Sequence, residues 1–451
     1  MSRLAWRSLR HRPVAFAATF LAVLLGTALI GSFATLVETA TGPVSDADAE
    51  ALVTMGAVVG GWGAMIVLFS VASTAGVVVR QRAGEIGLLR TVGATPRQAR
   101  RLVRSEVLLV SVSAAIAGAA VASVGGRALL AMIRSGGLVS DDVTYGGGMV
   151  SLASAAALVV VTARVAAGVA ARRAVRGPAR LVAAEADAGA LGSRLPWWRR
   201  ILGTVLVGYG VAMGVVTITV TAHADDPYAA MQTSGSAAIL VSVGMAVLAP
   251  ALLRLAATAL RPLVDRRSVG HLAAVTTTQR SALLAGVLGP VIVLTSAAIG
   301  TLMLVGIDGR SLDVAALDAE LQDVADTVTL LNNVVVGMIV LFAAIMVVNS
   351  FAAVVAQRRE EIRRLRLVGA TPGQVRGSVL VEAAVVALVG VVLGAVASLA
   401  TVVPFAVARD EGIVPDGQLW LPPVVALGAF ALTMLAGRAA VRGPALTQPV
   451  R

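Results

Sequence analysis

Most of the side chains in this sequence that could do ionic or hydrogen-bonding work fall in one string that occurs twice. The first copy runs Arg80-Gln-Arg-Ala-Gly-Glu85-Ile-Gly-Leu-Leu-Arg90-Thr-Val-Gly93-Ala-Thr-Pro96-Arg-Gln98. The second runs Gln357-Arg-Arg-Glu-Glu361-Ile-Arg-Arg-Leu-Arg366-Leu-Val-Gly369-Ala-Thr-Pro372-Gly-Gln374. At a constant offset of 276 residues Arg82 matches Arg358, Glu85 matches Glu361, Arg90 matches Arg366, and Gly-Ala-Thr-Pro-x-Gln matches in full. A carboxylate, guanidinium groups, a hydroxyl and a turn glycine supply salt bridges and helix caps; they supply no nucleophile.

The rest of the chain adds little reactive chemistry. Cysteine is absent, so there is no thiolate site and no disulfide. His11, His223 and His271 are scattered, with no metal-ligand spacing. All 37 basic residues are arginine. A phosphate-binding P-loop needs a lysine, so any P-loop ATPase acting here must be another polypeptide. No pair of carboxylates shares a span, and Ser and Asp form no nucleophile constellation. The sequence therefore predicts no catalysis, no cofactor and no metal in this chain.

The elements that must carry the repeated string are membrane spans. Of 451 residues, 57% are hydrophobic and 14% charged, with a mean hydropathy of +0.87, the composition of a polytopic membrane protein. Ten apolar stretches reach the roughly 20 residues a spanning helix needs: 14–36, 53–79, 107–131, 149–171, 201–222, 236–258, 284–306, 328–356, 378–405 and 421–441. The first is too long for a signal peptide and is expected to be retained. With the N-terminus inside, 32 of the arginines lie on inner segments and 17 of the 25 acidic residues on outer ones. That is the positive-inside pattern, and an even span number keeps it. The net charge of +12 is thus a topology signal, and nucleic-acid binding is not expected. Both strings and both termini fall on the cytoplasmic side.

The duplication extends beyond the string. Ala174-Val-Arg176-Gly-Pro178 follows the fourth span and Ala440-Val-Arg442-Gly-Pro444 the tenth. The expected organisation is a four-span repeat at 1–180, a linker with spans five and six at 181–267, and a second four-span repeat at 268–451. The two intervening spans keep the repeats parallel. The expected fold is all-α, with ten transmembrane helices. Pro196-Trp-Trp198-Arg-Arg reads as an interfacial anchor ending the linker.

Within each string the pattern predicts a rigid elbow. Helix formers carry the second span past the apolar stretch through Arg90, and Gly93 suits the left-handed position that stops a helix. Thr95 suits an N-cap, Pro96 the first helical position and Gln98 the far side of a capping box. Gly369, Thr371, Pro372 and Gln374 repeat this. A single copy would read as a well-capped basic loop serving topology. Two matched copies favour a device through which a soluble partner moves two spans at once.

The string Arg-x-x-Glu-Ile-x-x-Leu-Arg-x-Val-Gly-Ala-Thr-Pro, followed by a span opening near Glu106 or Glu382, resembles the signature of FtsX-like permeases, the family that includes MacB-type ABC exporters. Leu4-Ala-Trp-Arg-Ser-Leu-Arg10 resembles that family's amphipathic N-terminal helix. The ten-span layout is similar to bacitracin-type permeases, although no outer segment is long enough for the large outer domains of such relatives. The resemblance implies a permease subunit in the bacterial plasma membrane. A separate P-loop ATPase, in two copies, would bind ATP and Mg and dock on the elbows. The coupling residues would be Arg82, Glu85, Arg90, Gly93, Thr95, Pro96 and Gln98, with Arg358, Glu361, Arg366, Gly369, Thr371, Pro372 and Gln374. The cargo would be a hydrophobic or amphipathic compound such as an antibiotic, peptide or lipid. Some members transport nothing and act by mechanotransmission on a sensor kinase or envelope protein, which is the alternative. An ion-driven carrier is disfavoured by the shortage of carboxylates within the spans.

Other polar residues within the spans have milder readings. Arg164, near the inner end of the fourth span, is expected to snorkel. Asn332, Asn333 and Asn349 could line a polar path or bond between helices. Trp62 and Trp420 are expected to pack or to mark an interface. Leu312, Val314, Leu317 and Leu321 could form the apolar side of an acidic outer helix.

Overall fold

The computed structural model describes residues 13–81, 83–135, 137–174, 196–224, 229–264, 281–311 and 371–442, with residues 337, 340, 344, 346–348, 350, 351, 354, 367 and 369 between them. Among these residues every regular element is a helix, as a bilayer requires of any open-ended segment that must satisfy its own backbone. Nine helices there are long and apolar enough to span, and the chain is a multi-pass all-α membrane protein. They contain nine of the ten expected spans. The other, 328–356, lies mostly outside the described residues, though Met346, Val347, Ser350, Phe351 and Val354 within it are helical and buried.

The helices are α1 (Pro13–Thr39), α2 (Asp46–Thr54), α3 (Gly60–Gln81), α4 (Ala83–Thr91), α5 (Pro96–Ser135), α6 (Met149–Ala174), α7 (Trp197–Thr219), α8 (Ala229–Val264), α9 (Ser281–Ser311), α10 (Pro372–Ala408) and α11 (Leu421–Arg442). The second span starts earlier than its apolar run suggests. Ser45 caps α2 by accepting the Asp48 N–H at 3.2 Å, and a π-helical turn, Met55–Val59, joins α2 to α3. The hydropathy of 46–52 is too low to reveal this; the cap dictates it.

Helices α1, α3, α5 and α6 pack into one bundle, while α9, α10 and α11 pack together, with α8 laid against α9 and α10 and α7 against α8 and α10. Lipid tails are as apolar as leucine, so helices associate in a bilayer where small residues let backbones approach. Gly118 of α5 does this against the Leu24 carbonyl of α1, with Thr27 Cβ 2.8 Å from where its own Cβ would stand. Gly394 of α10 repeats it against α9: a Cβ there would lie 2.8 Å from the Ile292 carbonyl oxygen and 2.6 Å from Thr295 Cβ. Any side chain at either glycine would push the helix pair apart.

Between the bundles, Trp62 of α3 is buried, rests on Gly235 and donates its indole N–H to Ser236 Oγ of α8 at 3.1 Å. It is a packing aromatic, whereas Trp420 is exposed at the start of α11. Thr401 of α10 accepts the Ala238 N–H at 3.1 Å, and Ser234 donates to the Thr401 carbonyl at 2.9 Å. Interhelical bonds of this kind contribute about 0.6 kcal/mol each in a bilayer.

The helix ends away from the elbows are tied down. In the first bundle Glu38 accepts the N–H groups of Gly148 and Ser151, at 3.0 and 2.9 Å, and so caps α6. Asp48 accepts from the Ser140 N–H at 2.9 Å and from its hydroxyl. In the second, Arg310 grips Glu411 through two bonds of 2.9 Å and Arg409 reaches Asp308 at 2.7 Å.

Candidate coupling site

The first elbow begins where α4 stops. Gly93 holds φ +106°, which an L side chain rarely adopts, although nothing lies within 4 Å of where its Cβ would be. The glycine is required by conformation and not by space. The Gly93 N–H donates to the Arg90 carbonyl at 3.1 Å and the Ala94 N–H to the Leu89 carbonyl at 2.9 Å, the paired bonds of a Schellman stop. Two residues later α5 opens with a reciprocal cap. The Thr95 N–H donates to Gln98 Oε1 at 2.9 Å and the Gln98 N–H to Thr95 Oγ1 at 3.3 Å, with Pro96 at the first helical position.

The second elbow has the same geometry wherever it is described. Gly369 holds φ +104°. The Thr371 N–H donates to Gln374 Oε1 at 2.9 Å, and the Gln374 N–H to Thr371 Oγ1 at 3.2 Å. Pro372 begins α10. Arg82, Arg358, Glu361 and Arg366 lie outside the described residues, as do Asn332, Asn333, Asn349, the proposed N-terminal helix at 4–10 and the four outer residues Leu312, Val314, Leu317 and Leu321.

One face of the first elbow is anchored and the other is open. Ile86, Ala99 and Val103 are buried in the bundle core. Glu85 and Arg90, in the first and last turns of α4, are half-buried, each sits at the end its charge favours, and neither is without a partner. Leu88, Leu89 and Val92 point outward, Val92 with 88% of its surface exposed. In the second elbow Leu367 is likewise exposed. Clustered apolar side chains exposed at a rigid turn between candidate spans are the kind of surface a protein partner would cover.

Glu106 and Glu382, which mark the family string in the sequence, turn out to be buried, at 1% and 2% exposure. Each sits on the third span of its half just after the elbow, and neither is without a partner. Their identical offset was one signal; the other is helical spacing, since Glu106 falls on the buried stripe of Ala99, Val103 and Val110 and Glu382 on that of Val375, Val379 and Val386. Arg164 is exposed and lines a cavity with arginines of α5. At the opposite end, an apolar cavity of about 590 Å³ opens between α1, α3 and α6, bounded by Phe33, Val37, Gly56, Gly60 and Val150, with Glu38 at its edge. Among the described residues no cluster could hold a metal ion.

A family model described as FtsX-like permease C-terminal matches residues 57–179 and 333–446, together more than half the chain. Each matched segment contains one elbow. No curated protein matches the chain.

Proposed function

Because the chain belongs to the FtsX-like permease family, we propose that it is the transmembrane subunit of an ABC transporter in a bacterial plasma membrane. It couples ATP hydrolysis by a separate ATPase to export or extraction of a hydrophobic or amphipathic compound. The observation that carries this reading is the pair of elbows. Each is stopped and restarted by the same bonds, and the first bares Leu88, Leu89 and Val92. Two matching elbows suit two identical ATPase subunits, one under each half. The arginine distribution supports elbows and termini on the cytoplasmic side.

Force entering an elbow has a direct path outward. The 40-residue α5 and the 37-residue α10 run from the elbows to the opposite end as single helices about 60 and 56 Å long, α10 with Pro404 only in its last turns. The capping bonds prevent the N-terminal turns from fraying, so a push on the turn moves the whole helix. ATP and Mg belong to the partner. The apolar cavity beside Phe33 is the site we assign to the cargo's apolar body. Gly61, on its wall, has open space where a Cβ would stand, so Gly61→Leu fills the cavity without displacing backbone. That variant should insert normally and export at least tenfold less.

Affinity purification of the tagged full chain from native membranes in mild detergent tests the assembly. A stoichiometric P-loop ATPase is the expected companion. Its absence, with the chain recovered intact, would overturn the ABC reading and favour a carrier or a stand-alone membrane regulator.

A further inference from the structure

Beside the first elbow is a cluster that coupling leaves unexplained. Arg97, Arg100, Arg101 and Arg104 of α5 and Arg164 and Arg172 of α6 line a single cavity of about 530 Å³. No carboxylate lines it, and among the described residues none of the six forms an ion pair. On α5, positions 97, 101, 104 and 108 share one helical face; on α6, positions 164, 168 and 172 do. Gly168 lies between the two rows, and a Cβ there would stand at ordinary contact distance, 3.7 Å, from Arg104 Nε. Six like charges around one open recess, five of them on exposed side chains, repel each other and attract an anion.

The shape of the cluster says which anion. Arg164 is eight residues from Arg172, about 12 Å deeper along α6 and inside the spanning segment. Beyond it the surface turns apolar, with Val112 and Ile116 of α5 and Leu158 and Val161 of α6 exposed within the candidate spans. A soluble acidic protein could touch Arg97 and Arg101 at the rim but could not reach Arg164. A molecule with a phosphate head and hydrocarbon tails fits both parts. We propose that this cavity binds the headgroup of an anionic phospholipid, with its acyl chains lying along the α5–α6 groove. Guanidinium forks suit phosphate oxygens, and basic recesses between spanning helices at the inner surface are where such lipids are held.

The second half serves as an internal control. At the offset of 276, Gly373, Gly377 and Leu380 stand where Arg97, Arg101 and Arg104 stand in the first half, and only Arg376 matches. At the offset of 266 set by the two Arg-Gly-Pro sequences, Phe430 stands for Arg164 and Arg438 for Arg172. Topology and elbow geometry are thus met with two of the six, and the other four are specific to this cavity.

The test uses the delipidated full chain in mild detergent, titrated with phosphatidylglycerol, cardiolipin, phosphatidylcholine or inorganic phosphate, with bound ligand read by native mass spectrometry. The anionic lipids should bind at least tenfold more tightly than phosphatidylcholine and weaken as salt rises. Inorganic phosphate at millimolar concentration should not displace them. Arg104→Gln with Arg164→Gln and Arg172→Gln should lose about tenfold in affinity, and Arg376→Gln with Arg438→Gln should lose none. Equal affinity for phosphatidylcholine, displacement by inorganic phosphate, equal loss in both variants, or displacement of bound lipid by the partner ATPase would each overturn the proposal. Should the triple variant fail to fold, the ranking of ligands on the unmodified chain still decides.

Discussion

In both halves a glycine at φ +106° or +104° and a reciprocal Thr-x-x-Gln cap shape the elbow, but the opposite ends are fastened by different chemistry. The first half uses carboxylates on backbone N–H groups and a serine: Glu38 on Gly148 and Ser151, Asp48 on Ser140. The second uses ion pairs, Arg310 with Glu411 and Arg409 with Asp308. The glycine contact inside each bundle, Gly118 on α1 and Gly394 on α9, is again shared. The elbows are alike in the two halves, while the fastenings at their opposite ends differ. The same contrast runs across the elbow end itself, where four of the six cavity arginines have no counterpart at the matching positions of the second half.

The comparison can be broken most severely at the shared glycines. Gly118→Leu and Gly394→Leu each force a side chain against a carbonyl or a threonine of the neighbouring helix. Each should cost about 3 kcal/mol in unfolding by detergent titration, and the two should be equal within error. A large difference would mean the bundles do not rest on equivalent contacts.

Next come the elbow glycines. Gly93→Val and Gly369→Val place a β-branched residue at a strongly positive φ, costing about 2 kcal/mol each. Because space is open around both positions, membrane insertion should be normal while substrate-stimulated ATPase activity falls at least tenfold, and falls alike for the two. Smaller again is loss of one cap. Thr95→Ala or Thr371→Ala removes the acceptor at the start of α5 or α10, worth about 1 kcal/mol, and should lower coupling by a few fold without altering the chain's level in membranes.

The smallest effect sharpens the contrast at the opposite ends. Two hydrogen bonds from Arg310 are the main cause holding the Glu411 carboxyl below the ordinary glutamate range. A depressed acid stabilises the fold fully above its unfolded value, and that contribution is lost as pH falls through the folded one. Arg310→Gln should therefore lower stability by about 1 kcal/mol near neutrality. The gap from the unmodified chain should close below about pH 4. Thermal melts of the two proteins across that range measure it.

Much of this architecture is legible in the sequence because bilayers leave few options. A run of some 20 apolar residues must become a helix, and Gly followed by Thr-Pro-x-Gln states both the stop and the restart of an elbow. The cap on α2 was less legible: Ser45 and Asp48 act through hydrogen bonds that a hydropathy profile does not register. Contacts between distant segments left no periodic trace at all. Nothing near Trp62 points to Gly235, nothing near Glu38 points to Gly148, and nothing near Arg164 points to the arginines of α5 beside it. Buried Glu106 and Glu382 carried the hints of a matched offset and of helical spacing.

The chain's lack of cysteine allows the central claim, that the paired elbows receive the ATPase, to be tested directly. Single substitutions Val92→Cys and Leu367→Cys, with Val124→Cys on the exposed far part of α5 as control, can be treated with a thiol-to-amine cross-linker in native membranes. The account predicts an ATPase adduct from Val92→Cys and from Leu367→Cys, lost when either elbow glycine is replaced by valine, and none from Val124→Cys. An ATPase that co-purifies yet cross-links to neither elbow would contradict it.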